Sequence, residues 1–267
     1  MDHLAGKVAF ITGGGSGIGR AAALALASEG VHVVVADIDR DRAMSVADEG
    51  SWKGTDCIGM ELDVNDQSAF ETARDVMLRR LGHVDIVMNN VGVVSAGLPE
   101  QIPVEEWERC MSTNLLSVVR SNAVFLPVLL EQGSGHIVNT ASAAGLFAYA
   151  YERTPYSVSK AAVVALSEAL VLYLHPRNIG VTCLCPGPVA TNIHQHVTFS
   201  GAPIRMRPPM KGMNLIDAAP VGDMVVEAIR NKTFLVLTHP ELHDILVRRA
   251  DDPERFLADE VKAIEEA

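Results

Sequence analysis

A tyrosine and a lysine four residues apart, Tyr156 and Lys160, open an apolar helical pattern in this chain of 267 residues. Side chains at positions i and i+4 lie on one helix face, so the phenol and the ammonium can approach each other. Tyrosine alone has a pKa of about 10, too high for a base at neutral pH. A lysine ammonium ~4 Å away contributes about 4 kcal/mol at an effective dielectric near 20, which predicts a pKa for Tyr156 close to neutrality. The pair is therefore a candidate general acid/base.

Two polar side chains elsewhere in the sequence suit the same chemistry. Ser142 follows a strand-like run, and its hydroxyl can hold a substrate oxygen beside Tyr156. Asn114 lies inside a helical pattern, where asparagine is mildly unfavourable. An amide that holds water next to Lys160 explains Asn114, and an exposed polar helix position is the alternative.

A glycine-rich turn, Thr12-Gly13-Gly14-Gly15-Ser16-Gly17-Ile18-Gly19, follows the first apolar run and precedes a helical pattern. Glycines allow a tight turn with backbone N–H groups near an anion, and the helix dipole favours a pyrophosphate there. Gly19 allows the helix to pack close to the first strand. The position of the turn directly after an apolar strand indicates a dinucleotide site.

Asp37 ends the second strand-like run, 18 residues after Gly19. A carboxylate at this place can accept hydrogen bonds from the adenosine ribose hydroxyls and would repel the 2′-phosphate of NADP. Arg40 and Arg42 follow closely, so NADP stays open, as does a role for Asp37 as a helix cap. The sequence favours NAD as the cofactor.

The elements that must position these residues are short apolar runs alternating with longer helical patterns. Several runs are continuously apolar, as expected for strands covered on both faces. Alternating strands and helices imply a parallel sheet with right-handed crossovers. We predict an α/β fold, a doubly wound Rossmann-type three-layer sandwich of about seven parallel strands, as one domain over residues 1–267. The predicted strands are Val8–Thr12, His32–Asp37, Cys57–Leu62, Ile86–Asn89, His136–Thr140, Val181–Leu184 and Phe234–Thr238, and the main helical patterns are Ile18–Glu29, Gln67–Leu81, Val104–Glu131 and Tyr156–Leu174.

Composition excludes several classes of protein. The net charge is −11 and Lys and Arg are not clustered, which argues against nucleic acid as a partner. The N-terminus lacks the pattern of a signal peptide, and the continuous apolar runs are shorter than the ~20 residues of a membrane helix. Four cysteines fit buried thiols in a reducing cytosol, so we expect a cytoplasmic protein without a membrane partner. His194 and His196 lack a Cys or carboxylate at a metal-ligand spacing, so no metal is predicted.

Two segments depart from the regular alternation. Residues 192–215 are rich in Pro and Gly and follow the sixth strand, at the sheet edge where ligands bind in such folds. We expect this loop to form a lid over the substrate. Residues 232–267 hold the last strand and a helical extension.

In this order the motifs resemble those of the short-chain dehydrogenase/reductase family, over roughly residues 5–195. Asp63-Val64 resembles the pair that contacts adenine, Asn89–Gly92 the segment after the fourth strand, and Pro186–Thr191 the segment that borders the nicotinamide. The resemblance implies a catalytic tetrad in which Tyr156 takes the hydroxyl proton, Lys160 holds the nicotinamide ribose, Ser142 positions the substrate oxygen and Asn114 supports a water-linked proton path. The cofactor-binding residues expected from turn and resemblance together are Gly13, Gly15, Ser16, Gly17, Ile18, Gly19, Asp37, Ile38, Asp63, Val64, Asn90, Val91, Gly92, Tyr156, Lys160, Pro186, Gly187, Val189 and Thr191.

The resemblance implies NAD-dependent oxidation of a secondary alcohol. The apolar residues near the tetrad favour a bulky apolar substrate of aryl, alicyclic, terpenoid or steroid-like type. No arginine pair is placed for a phosphate or CoA group, although Arg153, Arg205 and Arg207 can reach the mouth of the site. The predicted substrate-binding residues are Val94, Ser142, Phe147, Tyr149, Tyr156 and His194.

Two other functions remain open from the sequence: an NADPH-dependent ketoreductase, and a catalytically silent dinucleotide-sensing protein. The resemblance implies a homotetramer or homodimer built through the helices of residues 104–131 and 156–174, and the second of these is apolar almost all round, as a buried helix is. The Ser142-to-Tyr156 spacing is one residue longer than expected, and the C-terminal extension differs from the tail of many family members.

Overall fold

The computed structural model describes residues 1, 3–51, 55–207 and 213–266. The strands are β1 (Val8–Thr12), β2 (His32–Asp37), β3 (Cys57–Glu61), β4 (Ile86–Asn89), β5 (Val94–Ala96), β6 (Gly135–Thr140), β7 (Ile179–Cys185), β8 (Val197–Phe199) and β9 (Leu235–Leu237). Seven of them form one parallel sheet in the order β3-β2-β1-β4-β6-β7-β9. The predicted doubly wound parallel sheet is therefore confirmed, and its strands are the predicted ones within one or two residues at each end.

Helices cover both faces of this sheet. They are α1 (Gly17–Ser28), α2 (Arg40–Ser51), α3 (Gln67–Leu81), α4 (Val104–Met111), α5 (Ser117–Gln132), α6 (Ala143–Leu146), α7 (Thr154–Leu174), α8 (Ala218–Asn231), α9 (Glu241–Asp251) and α10 (Pro253–Glu265). Successive residues of a strand point to opposite faces. Along β1, Ala9 and Ile11 therefore pack against α1 and α8, whereas Val8 and Phe10 pack against α3, α5 and α7. Burial on both faces explains why this strand is continuously apolar.

The predicted helix Val104–Glu131 is a continuous helical stretch with a change of pitch. A π-helical turn, Ser112–Leu116, joins α4 to α5 and contains Asn114. Such turns are often found at functional sites. Pro127 lies inside α5, which ends at Gln132 with Gly133 in the left-handed conformation.

The loop after the sixth predicted strand has structure of its own. Asn192–His196 form a 3-10 helix, and β8 then pairs with β5 in a small parallel sheet. The expected irregular loop over 192–215 is thus partly ordered, because β5 offers a free edge to β8. Its residues Pro208, Pro209 and Gly212 lie outside the described part of the chain.

Two helical stretches, Val104–Gln132 and Thr154–Arg177, have the length and mean hydropathy of membrane helices. Of their most apolar windows, 50% and 33% are buried inside the fold. Helices that cover the core of a soluble protein meet the same criterion, so this is weak support for a membrane role.

Candidate active site

A cavity of about 460 Å³ lies at the carboxyl ends of the central strands. Its lining runs from Asp37 and Ile38 at one end to Ser142 and Tyr156 at the other. Further predicted residues on its wall are Gly13, Ser16, Gly17, Ile18, Asp63, Val64, Asn90, Val91, Gly92, Lys160, Pro186 and Thr191. The fold therefore brings the two groups of predicted residues, for cofactor and for catalysis, to one continuous cavity.

The glycine-rich turn after β1 depends on its missing side chains. Gly13 and Gly17 have φ of +62° and +52°, a conformation that glycine adopts at little cost. A Cβ on Gly19 would lie 2.2 Å from the carbonyl oxygen of Gly13, so α1 approaches β1 only because this position is glycine. The turn forms a backbone cradle at the N-terminus of α1, which suits the pyrophosphate of a dinucleotide.

Asp37, at the end of β2, is held by two backbone groups. Its Oδ2 accepts a hydrogen bond from Gly15 N at 2.9 Å, and its Oδ1 accepts one from Asp39 N at 3.0 Å. Arg42, which also lines the cavity, is ion-paired through Nε to Asp39 Oδ2 at 3.0 Å. The negative charge of Asp37 is therefore fixed beside the turn, and the nearby arginine already has an acidic partner.

Asn90 joins three strand ends beneath the cavity. Its backbone N–H donates to Thr12 Oγ1 at 3.0 Å, its Nδ2 donates to the Gly13 carbonyl at 3.4 Å, and its Oδ1 accepts from Thr140 Oγ1 at 3.1 Å. These bonds fix the Asn90–Gly92 wall relative to the glycine-rich turn.

Lys160 projects from α7 into the base of the cavity. Its Nζ donates a hydrogen bond to the Thr140 carbonyl at 2.8 Å, and the residue is almost fully buried. Burial lowers the pKa of Lys160 to about 8. A Cβ on Gly92 would lie 3.3 Å from this Nζ, so the glycine keeps the space in front of the ammonium open.

Tyr156 lies one helical turn before Lys160 and faces the same cavity. Burial raises the pKa of Tyr156 to about 12, and a hydrogen bond from Ser142 acts in the opposite direction. The expectation that Lys160 brings this pKa close to neutrality is therefore wrong for the chain by itself. The physical reason is that burial destabilises the phenolate, while the Lys160 ammonium is directed to the Thr140 carbonyl.

Ser142 caps α6 and is oriented by that role. Its Oγ accepts a hydrogen bond from Ala144 N at 3.1 Å, which leaves its proton for a partner in the cavity. The side chains of Ser142 and Tyr156 line the same cavity, and the effect of Ser142 on the Tyr156 pKa agrees with their proximity. This pair can bind one oxygen atom of a substrate and exchange a proton with it.

Asn114 is 1% exposed, which excludes the alternative of an exposed helix position. Its Oδ1 accepts from Val93 N at 2.8 Å, and its Nδ2 donates to the Val93 carbonyl at 3.0 Å and to Ser159 Oγ at 2.9 Å. These bonds fix the backbone of Val93, a cavity-lining residue. The predicted water-linked path through Asn114 stays a prediction.

Four predicted substrate residues do not line this cavity as far as the described residues define it. Phe147 is buried against Phe256 and Leu242 of the C-terminal helices, which were not expected to cover it. Tyr149 lies beneath Arg153, with 5.4 Å between the guanidinium carbon and the ring centre. Val94 is a buried residue of β5, and His194 is exposed, with Nδ1 3.0 Å from the Thr191 carbonyl.

Four predicted cofactor-binding residues do not themselves line the cavity as the described residues define it. Gly15 and Gly19 shape the turn, as described above. Gly187 N donates to Thr238 Oγ1 at 2.9 Å, and Val189 bridges to Ile216. These residues support the wall formed by Pro186 and Thr191.

Several lining residues were not predicted as site residues. They include Asp39, Arg42, Leu62, Asn65, Thr113, Thr140, Ala141, Asn192, Ile193 and His196, whereas Val93, expected near the tetrad, does line the cavity. Thr140 ends a predicted strand, and that position is the signal that could have identified it. The others depend on how the loops fold back. Among the described residues, no group of three or more His, Cys, Asp or Glu side chains could hold a metal ion.

Comparison with known proteins supports the family resemblance of the sequence motifs. The family model for short chain dehydrogenases matches residues 7–199. The chain is 33% identical over 196 residues to 2,5-dichloro-2,5-cyclohexadiene-1,4-diol dehydrogenase LinX of Sphingobium indicum, covering 73% of this chain and 78% of that protein. A solved short-chain dehydrogenase/reductase of Burkholderia phymatum in complex with NAD shares 32% identity and a TM-score of 0.86, over 95% of this chain and 96% of that one.

A second curated relative differs in length. The probable oxidoreductase EphD of Mycobacterium tuberculosis is 39% identical over 184 residues, which are 68% of this chain and 31% of that protein. This chain therefore matches about a third of the length of that relative.

Proposed function

Because this chain belongs to the short-chain dehydrogenase/reductase family, we propose that it oxidises a secondary alcohol with NAD, or reduces the corresponding ketone. The observation that carries the proposal is that the hydroxyl groups of Ser142 and Tyr156 line one cavity together with Lys160, the glycine-rich turn and Asp37.

The residues of the chain fit a nicotinamide dinucleotide. The backbone cradle at Gly13–Gly19 suits the pyrophosphate, and Asp37 suits the adenosine ribose hydroxyls. When bound, the cofactor supplies the hydride acceptor. Ser142 donates a hydrogen bond to the substrate oxygen, and Tyr156 removes its proton as general base in oxidation or returns it as general acid in reduction. The Lys160 ammonium, which donates to the Thr140 carbonyl, has further N–H donors for the ribose hydroxyls.

NAD rather than NADP is proposed for two reasons. The fixed carboxylate of Asp37 repels a 2′-phosphate, and the ion pair with Asp39 occupies the Arg42 side chain that would otherwise bind it. The NAD complex of the Burkholderia phymatum relative agrees with this preference.

The substrate side of the cavity supports a bulky apolar alcohol. Val93, Pro186 and Ile193 contribute apolar surface close to Ser142 and Tyr156. Aryl, alicyclic, terpenoid and steroid-like alcohols are the classes that we propose for the first screen.

We also propose a cytoplasmic homo-oligomer. Four free thiols agree with a reducing compartment. Exposed apolar residues are Leu172 and Tyr173 of α7, Val119 of α5 and Leu116 directly before α5, with Leu172 81% exposed. Such residues on the two helices predicted for assembly suit a contact between copies of the chain. Light scattering coupled to gel filtration tests it, and a monomer at micromolar concentration would contradict it.

The reaction is tested with purified protein, NAD and a panel of secondary alcohols of the proposed classes, following the absorbance of NADH. We expect turnover of at least one bulky alcohol by the wild type, and a kcat/KM about 10²–10⁴-fold lower for Tyr156→Phe with the same alcohol. Binding of NADH without turnover of any alcohol or ketone would contradict the proposal and favour a dinucleotide-sensing role.

A further inference from the structure

A buried group of charged residues lies directly before the helix that carries Tyr156. Glu152 and Arg153 are 2% and 8% exposed, and neither lines the cavity within the described residues. The Glu152 carboxylate lies 3.5 Å from the Arg153 guanidinium and 3.9 Å from that of Arg207. The catalytic chemistry described above uses none of these three residues, so their burial needs another explanation.

The side chains of Glu152 and Arg153 both bind the backbone of one loop residue, Arg207. Glu152 Oε1 accepts a hydrogen bond from Arg207 N at 2.7 Å, and Arg153 Nη2 donates one to the Arg207 carbonyl. The two side chains thereby satisfy both polar backbone groups of Arg207. This is the pattern of a backbone clamp, and it spans more than fifty residues of sequence.

Three further contacts join the clamp to its surroundings. The guanidinium carbons of Arg153 and Arg207 lie 5.4 and 4.6 Å from the ring centres of Tyr149 and Tyr151. Gly97 N donates to the Glu152 carbonyl at 2.9 Å, directly after β5. Since β5 also pairs with β8, the clamp and the small sheet fix the same loop at two places.

The energetics indicate that position, rather than stability, is the use of this cluster. Burying a carboxylate and guanidinium groups has a desolvation cost that their attraction barely offsets, so an apolar cluster of equal volume would be at least as stable. A charged clamp nevertheless selects one backbone position for its partner. In addition, Arg153 directly precedes α7, three residues before Tyr156, so the clamp adjoins the segment that carries the reacting phenol.

We propose that Glu152 and Arg153 are positioning residues. They bind the backbone of Arg207 and thereby hold the loop after β7, residues 192–207, against the segment that carries Tyr156. The same loop supplies Asn192, Ile193 and His196 to the cavity wall. Loss of the clamp therefore alters the substrate end of the cavity and leaves the nucleotide end, at Asp37, unchanged. The substrate part of this inference rests on the proposed function.

Limited digestion with trypsin tests the clamp without any substrate. Arg205 is an exposed loop residue two positions before Arg207, and the Arg205–Met206 bond is a trypsin site. We expect Arg153→Met and Glu152→Ala to raise the rate of this cut at least about tenfold, the change that about 1.4 kcal/mol of lost loop anchoring produces. Glu152→Gln keeps an acceptor oxygen for Arg207 N but removes the charge, and Arg153→Lys keeps a charged donor, so both should show smaller increases.

A matched control uses an ion pair far from the site. Glu29→Gln removes the acidic partner of Arg230, which joins α1 to α8, and should leave the cut after Arg205 unchanged. Mass spectrometry identifies the cut, and circular dichroism confirms that each variant is folded. An unchanged cut in folded Glu152→Gln, Arg153→Lys and Arg153→Met would overturn the clamp.

Kinetics then test its role in catalysis. For an alcohol that the wild type oxidises, Arg153→Met should raise KM at least about tenfold with an unchanged Kd for NADH, and Arg153→Lys should recover part of the loss. A faster cut with unchanged KM and kcat would overturn the positioning role. If the wild type oxidises no alcohol, the proposed function fails, and the trypsin result still decides the clamp.

Discussion

Asn114 binds both backbone polar groups of Val93, accepting from its N–H at 2.8 Å and donating to its carbonyl at 3.0 Å. The π-helical turn between α4 and α5 brings the amide to this position. An asparagine that is unfavourable for the helix is thereby explained by a contact made 21 residues away in sequence. The bond pair connects the helix to the cavity wall on the substrate side.

Replacing Asn114 by Ala should destabilise the fold and the wall together. The half-buried Val93 N–H loses its acceptor and the Val93 carbonyl keeps only the weaker Cys110 Sγ donor at 3.6 Å, so we expect about 1–3 kcal/mol less free energy of unfolding. Urea denaturation measures it. Asn122→Ala on α5 is the control, since Asn122 Oδ1 has no partner among the described residues. Equal decreases in the free energy of unfolding of the two variants would contradict a stabilising role of the Asn114–Val93 hydrogen bonds.

Asp37 should determine the choice between the two nicotinamide cofactors. We expect wild type to bind NADH at least about tenfold more tightly than NADPH, and Asp37→Ala to lose most of that difference, because like charges no longer meet. Fluorescence titration of both cofactors measures the ratio. Asp39→Asn frees Arg42 from its ion pair and should also improve NADPH binding. Tighter NADPH binding by the wild type would instead favour ketone reduction with NADPH.

Tyr156 should control the pH dependence of oxidation. Since burial raises its pKa to about 12, the phenol is protonated at neutral pH, and the base form increases as pH rises. We expect kcat/KM for oxidation to rise with pH through the neutral and alkaline range in the wild type. Tyr156→Phe should lower kcat/KM by about 10²–10⁴-fold with NADH binding retained. Substantial residual activity in Tyr156→Phe would assign the base elsewhere.

His136 should make the fold sensitive to acid. Its ring is fully buried in β6, Nε2 lies 2.8 Å from Thr182 Oγ1, and burial lowers its pKa to about 3. The unfolded chain has the ordinary pKa of about 6.5, so it binds more protons than the folded chain between these values. Stability from the neutral ring is therefore complete above the unfolded pKa and is lost as pH falls through that range.

The expected loss from His136 between pH 7 and pH 5 is about 2 kcal/mol of unfolding free energy. His136→Gln should have a lower free energy of unfolding than wild type at pH 7, but that free energy should fall less between pH 7 and pH 5. Urea denaturation at both pH values measures it. His243→Gln, at an exposed position, should change neither quantity. The same acid sensitivity in His136→Gln as in wild type would place its origin at other groups.

Most strands of the main sheet and many of the side chains that line the cavity could be predicted from the sequence. The central strands could be predicted because they are buried on both faces and read as short apolar runs, as Val33–Ala36 of β2 does. The turn could be predicted because Gly13 and Gly17 have positive φ, and because a Cβ on Gly19 would clash with the Gly13 carbonyl. Asp37, Ser142, Tyr156 and Lys160 could be chosen because strand ends and helix spacing place them on one edge of the sheet.

The surroundings of these side chains depend on contacts between distant segments, which are visible only in the folded structure. The pKa of Tyr156 depends on burial by residues from several elements, so a helix spacing alone predicted it wrongly. Phe147 is turned away from the cavity because α10, about a hundred residues later in sequence, packs on it. Arg153 and Arg207 meet only where the loop folds back onto Glu152. Local patterns report the conformation of a segment, whereas burial and hydrogen-bond partners come from segments far apart in the chain.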